Sequence, residues 1–168
     1  MQLQAPIQPC LWFDTQAEEA ARFYTAIFPN SRVNRITRYG NAGYEFHRMP
    51  AGTVLTVEFE LDGQRFLAMN GGPTYQFTHA VSFQVLCDDQ QQIDRYWELL
   101  GEGGDESARD CGWLKDRFGL SWQVVPADVG QLISGANADA VMTALLKMKK
   151  LDLAALRAAA EGGADPAI

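Results

Sequence analysis

The stretch Arg22-Phe23-Tyr24 returns, slightly altered, as Arg95-Tyr96-Trp97, 73 positions later (95 − 22), in a chain of 168 residues. An offset near half the length points to one supersecondary unit written twice, whose copies bury their apolar faces against each other. Around each copy the same order can be read: a short apolar strand, an acidic cap, an amphipathic helix, then further strands. Architecture is therefore far more legible than chemistry.

In the first half, Cys10-Leu11-Trp12-Phe13 reads as a strand ending at Asp14, and Thr15 with Glu18 forms a capping box that starts a helix. Ala17, Ala20, Ala21, Tyr24, Ile27 and Phe28 make one helical stripe, stopped by Pro29-Asn30. Strand-like segments follow at 32–39 and 43–48. From Thr53 to Leu61 the residues alternate: Leu55, Val57, Phe59 and Leu61 on one face, Thr56, Glu58 and Glu60 on the other. Asp62-Gly63 is a tight hairpin turn, and the return strand Phe66–Asn70 closes on Gly71-Gly72-Pro73.

The second half repeats this plan. Strand 80–87 carries Val81, Phe83, Val85 and Cys87 on one side. Asp88-Asp89 cap a helix with stripe Ile93, Tyr96, Trp97 and Leu100, and strands follow around Trp113 and at 120–126. Each half is read as βαβββ. Beyond Pro126, Val141, Leu145 and Met148 form a further stripe, and Asp152 caps a last short helix bearing Leu153 and Leu156. The tail from Gly162 through Pro166 is expected to fray.

Composition narrows the function classes. With 14 basic and 21 acidic residues the net charge is −7, and no basic face for nucleic acid is evident. Lys147, Lys149 and Lys150 lie at a helix end, where cations complement the dipole. Three cysteines without CxxC spacing fit reduced thiols, and Met1–Pro6 lacks the regions of a signal peptide. No apolar run approaches the ~20 residues that cross a bilayer. The expectation is a cytoplasmic protein without membrane or nucleic-acid partners.

These residues resemble a known group. Paired βαβββ modules closing a cup-shaped sheet are the plan of the vicinal oxygen chelate superfamily, which includes glyoxalase I, extradiol dioxygenases and bleomycin-resistance proteins. Within it the chain is similar to the PhnB-like branch. The matching stretches are Pro9–Asp14 with Ala17–Tyr24, Phe59–Gly63, Asn70–Pro73, Cys111–Phe118 running into Ser121–Pro126, and Met148–Leu156. The resemblance implies an α+β fold: paired modules over about 5–75 and 78–126 in one domain (1–126), a cupped mixed sheet, and a helical extension (127–168). It also implies a homodimer, with the extension as a clasp on the partner subunit.

In that superfamily four ligands, usually His, Glu or Gln, hold a divalent metal that a bidentate oxygen substrate shares. Here Gln123 faces the cup by parity, but its counterpart in the first half is Leu67, and the first-strand positions are Ile7 and Pro9. His79 shares parity with Val81, Phe83 and Val85, so it turns inward only through a register slip or bulge. Glu58 sits on the strand face that more often meets solvent, and His47 falls in an ill-defined segment. A full site is absent, and a degenerate one would use Gln123, His79 and Glu58. No cofactor is expected otherwise.

Cys111 stands beside Arg109, whose charge would lower a thiol pKa, yet it has no histidine partner in sequence and reads first as a packed thiol. Trp12, Trp113, Trp122 and Tyr75 either fill core and dimer contacts or line a cup for a planar small molecule. Residues expected to line that cup are Leu11, Phe13 and Met69 from the first half, with Ser82, Gln84, Trp113 and Gln123 from the second. The leading expectation is a metal-free small-molecule binding protein of unknown ligand. Alternatives are a lyase- or oxygenase-type enzyme with a reduced metal site, a structural dimer, or the methyltransferase named in the branch's label. For the last, the first strand lacks the glycine-rich turn a methyltransferase needs.

Overall fold

The computed structural model describes residues 7–162. The chain divides into two compact units, with the boundary between Phe77 and Thr78. Each builds its own mixed sheet with a helix on one face, an α+β arrangement of tandem modules.

The first unit runs β1 (Cys10–Phe13), α1 (Ala17–Ile27), β2 (Arg32–Arg38), α2 (Tyr44–His47), β3 (Val54–Leu61) and β4 (Gln64–Asn70), with sheet order β1-β4-β3-β2. β1 lies parallel to β4, and the other pairs are antiparallel. The α1 stripe Ala17, Ala20, Ala21, Tyr24 and Ile27 is buried against Val57, Phe59, Phe66 and Ala68. Tyr24 stacks on Phe59 at 6.3 Å and Phe59 on Phe66 at 5.3 Å. Asp62 and Gly63 take φ of 45° and 82°, the positive pair the hairpin turn requires.

Two local expectations are corrected here. The segment expected as a strand at 43–48 is the single helical turn α2, entered at Gly43 (φ 82°) and left at Arg48 (φ 57°). The ring of His47 closes it, accepting from Met49 N at Nδ1 (3.0 Å) and lying 3.1 Å from Ala42 O at Nε2. Nor does the capping box form: Gln16 is the helix N-cap and its side chain caps nothing. The cap comes from Asn70 instead, whose Oδ1 accepts from Ala17 N at 2.8 Å.

The second unit runs β5 (Ser82–Cys87), α3 (Gln90–Gly101), a 3₁₀ turn (Glu106–Ala108), β6 (Trp113–Lys115), β7 (Ser121–Pro126), α4 (Val129–Leu132), α5 (Ala138–Leu145) and α6 (Leu153–Ala160). Its sheet has three strands in the order β5-β7-β6, so the second module is βαββ and one strand shorter than the repeat suggests. Chain 101–108 folds tightly onto β6. A Cβ on Gly104 would lie 2.0 Å from the carbonyl oxygen of Lys115. Asp89 caps α3 through Gln92 N (2.8 Å), and Asp152 caps α6 through Ala155 N (2.9 Å), as the sequence signals require.

The C-terminal helices belong to the second unit. Val141, Leu151 and Leu156 form one buried cluster with Val125 of β7, and Leu145 and Met148 pack against it. The stripe expected to clasp a partner subunit is thus covered by its own chain. The expected fraying beyond Gly162 concerns residues outside those described.

Candidate functional site

Register on the second sheet decides which side chains meet. Ser82, Gln84 and Leu86 share one face of β5, and Phe83, Val85 and Cys87 the other, because successive side chains alternate. The Phe83 face is covered by α3: Val85, Cys87, Leu114, Trp122 and Val124 are buried beneath Ile93, Trp97 and Leu100. Phe83 lies 5.7 Å from the Trp122 ring on that side. The opposite, open face is a two-row grid. Ser82, Ser121 and Lys115 are paired across the three strands in one row, and Gln84, Gln123 and Trp113 in the next.

The amides of the second row are ordered. Gln84 Nε2 donates to Gln123 Oε1 (3.1 Å), and Gln123 Nε2 donates to Ser82 Oγ (2.8 Å). The structure therefore brings Ser82, Gln84, Gln123 and Trp113 together, four of the seven expected cup residues. Ser121, at 0% exposure, has an Oγ with no hydrogen-bond partner among the described residues. It was missed because a small residue in a strand carries no periodic signal of its own.

The other three expected residues belong to the first unit and divide between its faces. Leu11 and Phe13, at 5% and 3% exposure, pair with Ala68 and Asn70 and point into the helix-covered core. Their inclusion as cup residues is corrected by that parity. Met69, paired with Trp12 and Thr56, is on the open face.

Beside the grid, a hollow of about 540 Å³ is lined by His79, Asp105, Asp110, Cys111, Trp113 and Lys115, among others. His79 reaches it because β5 begins only at Ser82. Residues 79 and 80 form a turn, so strand parity does not extend to the histidine. Cys111 and Gly112, with φ of 49° and 82°, are the corners of a two-residue turn closed by Trp113 N to Asp110 O (2.7 Å). Burial raises the Cys111 thiol above its usual pKa, and the neighbouring Asp110 carboxylate adds to the effect. Arg109, expected to lower it, instead donates to Gly101 O at 2.8 Å. Cys111 is held as a thiol and is a poor nucleophile.

The metal set of the superfamily does not fit these residues. Gln123 Oε1 accepts from Gln84, and Glu58 is ion-paired with Arg35 and faces Leu67 across the strands. His47 is occupied within α2. Among the described residues no three His, Cys, Asp or Glu side chains gather as a metal site would require.

Asp116 holds the hairpin beneath the grid. Buried at 2% exposure, its carboxylate accepts from Trp122 Nε1 (2.8 Å), Phe118 N (2.8 Å) and Leu120 N (3.0 Å). This explains the Lys-Asp run followed by Ser-Trp-Gln as a scaffold motif.

Residues 5–125 match the family model described as 3-demethylubiquinone-9 3-methyltransferase. The chain belongs to that family. The PhnB protein of Bacillus cereus, which carries the same methyltransferase label provisionally, is 32% identical over 73% of this chain and 100% of its own, with a TM-score of 0.62. A protein of Pseudomonas aeruginosa is 19% identical, covering 72% of this chain and 96% of its own, at a TM-score of 0.54. The fosfomycin resistance protein FosX of Mesorhizobium loti shares the fold at 13% identity, with 79% and 99% covered and a TM-score of 0.52. The family is thus PhnB-like, and its fold is shared with FosX. No curated protein matches the chain. Among the described residues no helix is long and apolar enough to cross a membrane.

Proposed function

We propose that this PhnB-like protein binds a small organic molecule on the open face of its second sheet, without a resident metal. The observation that carries this is the neutral polar row Ser82–Gln123–Gln84 ending at the half-buried Trp113 ring. Oriented amides beside an indole recognise a planar ligand bearing hydrogen-bonding groups. They do not supply the charged oxygen or nitrogen ligands that a catalytic divalent ion needs. Pairing of two chains, the habit of the superfamily, belongs to the same reading.

Methyl transfer finds less support. The turn after β1, Asp14-Thr15-Gln16, has no glycine to let a nucleotide-like cofactor approach. The N-terminus of α1, where such a cofactor would be greeted, is already capped by Asn70.

The test is a thermal-shift screen of planar small molecules against the wild-type protein and Gln123→Ala, alongside elemental analysis after loading with Ni, Zn, Mn or Fe. Ligands that raise the melting temperature of the wild type but not of the variant support the reading. Near-stoichiometric metal, lost on Gln123→Ala or His79→Ala, overturns it in favour of a chelating lyase or oxygenase.

A further inference from the structure

Beyond an unspecified planar ligand, the first row of the grid selects its charge. Ser82, Ser121 and Lys115 stand side by side on three adjacent strands, about 4.8 Å apart in the hydrogen-bonding direction. Ser82 Oγ already accepts from Gln123, so its own proton is available to donate. Ser121 Oγ is buried and unpartnered among the described residues, and native structures seldom leave such a hydroxyl unsatisfied. Lys115 makes no ion pair within 4 Å among the described residues. Two hydroxyl donors and one ammonium in one row lack a common acceptor.

We propose that this row holds the carboxylate of a hydroxylated aryl monocarboxylate, with the ring against Trp113 and the ring hydroxyl at the Gln84–Gln123 amides. The rows are about 6.7 Å apart along the strand, the reach of a benzene ring bearing polar groups at opposite ends. A single cation sets the ligand's charge at one. Asp105 and Asp110 line the same hollow as Lys115, and the charge of Lys115 reaches Asp105, so the anion is held by direct contact with the ammonium and hydroxyls and a second negative charge is disfavoured. Ser121 is fully buried, so its hydroxyl meets the carboxylate once a neighbouring side chain turns aside.

This inference rests on the binding reading above but fails separately from it. The probe is 4-hydroxybenzoate, titrated calorimetrically against the wild-type protein, with 4-hydroxybenzamide and benzoate as controls. The expected result is that the amide binds at least tenfold more weakly than the acid, and benzoate several-fold more weakly. Lys115→Met should lower affinity for the acid at least tenfold while leaving the amide unchanged, and Ser121→Ala should lower it several-fold. Should Lys115→Met fail to fold, as judged by its melting curve, the acid–amide comparison on the wild type decides alone. Equal binding of acid and amide overturns the anion cradle while leaving the binding reading intact. Binding of none of the three probes overturns the ligand class.

Discussion

Asn70, the last residue of β4, holds the first turn of α1 from 53 residues away, its Oδ1 2.8 Å from Ala17 N. Its Nδ2 donates to Val54 O (3.0 Å), and its own carbonyl accepts from Tyr39 OH (2.5 Å). One buried residue, through its side chain and its backbone carbonyl, thus ties helix, sheet and the β2–β3 connection together. Asn70→Ala removes a helix cap and strands a buried N–H, so it should destabilise by about 2–3 kcal/mol in urea denaturation. Thr15→Ala, at the unused capping position, should change stability by less than about 0.5 kcal/mol. Equal effects of the two would refute the assignment.

Gly71 lies against Trp12, and a Cβ there would sit 2.1 Å from the ring. Trp12 Nε1 also donates to Gly72 O at 2.8 Å. Gly71→Ala should therefore displace the indole, lowering the melting temperature and shifting tryptophan emission. In Gly130→Ala, on α4, the added methyl meets nothing within 4 Å, so the melting temperature should hold or rise slightly.

Asp116 satisfies three donors at once, one of them the indole of Trp122. Asp116→Ala should cost about 3 kcal/mol or more, since several buried donors lose their acceptor together. Asp116→Asn keeps one acceptor oxygen and should cost less. Chemical denaturation of the two variants checks the order, and the reverse order would count against the hairpin role.

Cys87 is buried, which pushes its thiol up to about 11, with Asp88 and Asp89 adding to the shift. The folded state keeps the proton where the unfolded chain, at the ordinary value of 9.0, releases it. The group's stabilising contribution is full below pH 9 and is lost as pH rises toward 11. Melting temperature should fall more steeply from pH 9 to 11 in the wild type than in Cys87→Ala. Parallel slopes would show that the thiol does not titrate in this way.

The parts of the fold written in local chemistry were legible in the sequence. Periodic stripes placed α1 and α3, Asp62-Gly63 placed a turn, and Asp89 and Asp152 placed caps. Non-local partners overruled the rest. Asn70 took the capping role from Thr15, and the second sheet has one strand fewer than the repeat implied. At the site, alternation placed Ser82, Gln84 and Gln123 on one face correctly. It misled for His79, because parity was carried past the true start of β5, and for Leu11 and Phe13, whose face is set by their pairing with β4. Ser121 had no sequence signal, since its interest lies in burial without a partner.

The Cys111–Gly112 turn is fastened by two backbone bonds, Cys111 N to Met148 O (2.8 Å) and Gly112 N to Lys149 O (2.7 Å). The stretch matched by the family model ends at residue 125. The residue that precedes the Trp113 ring is therefore anchored at 148–149, beyond the stretch that the family model matches. A substitution that shifts residues 148–149 should carry the Trp113 ring with it while every residue of the grid stays the same.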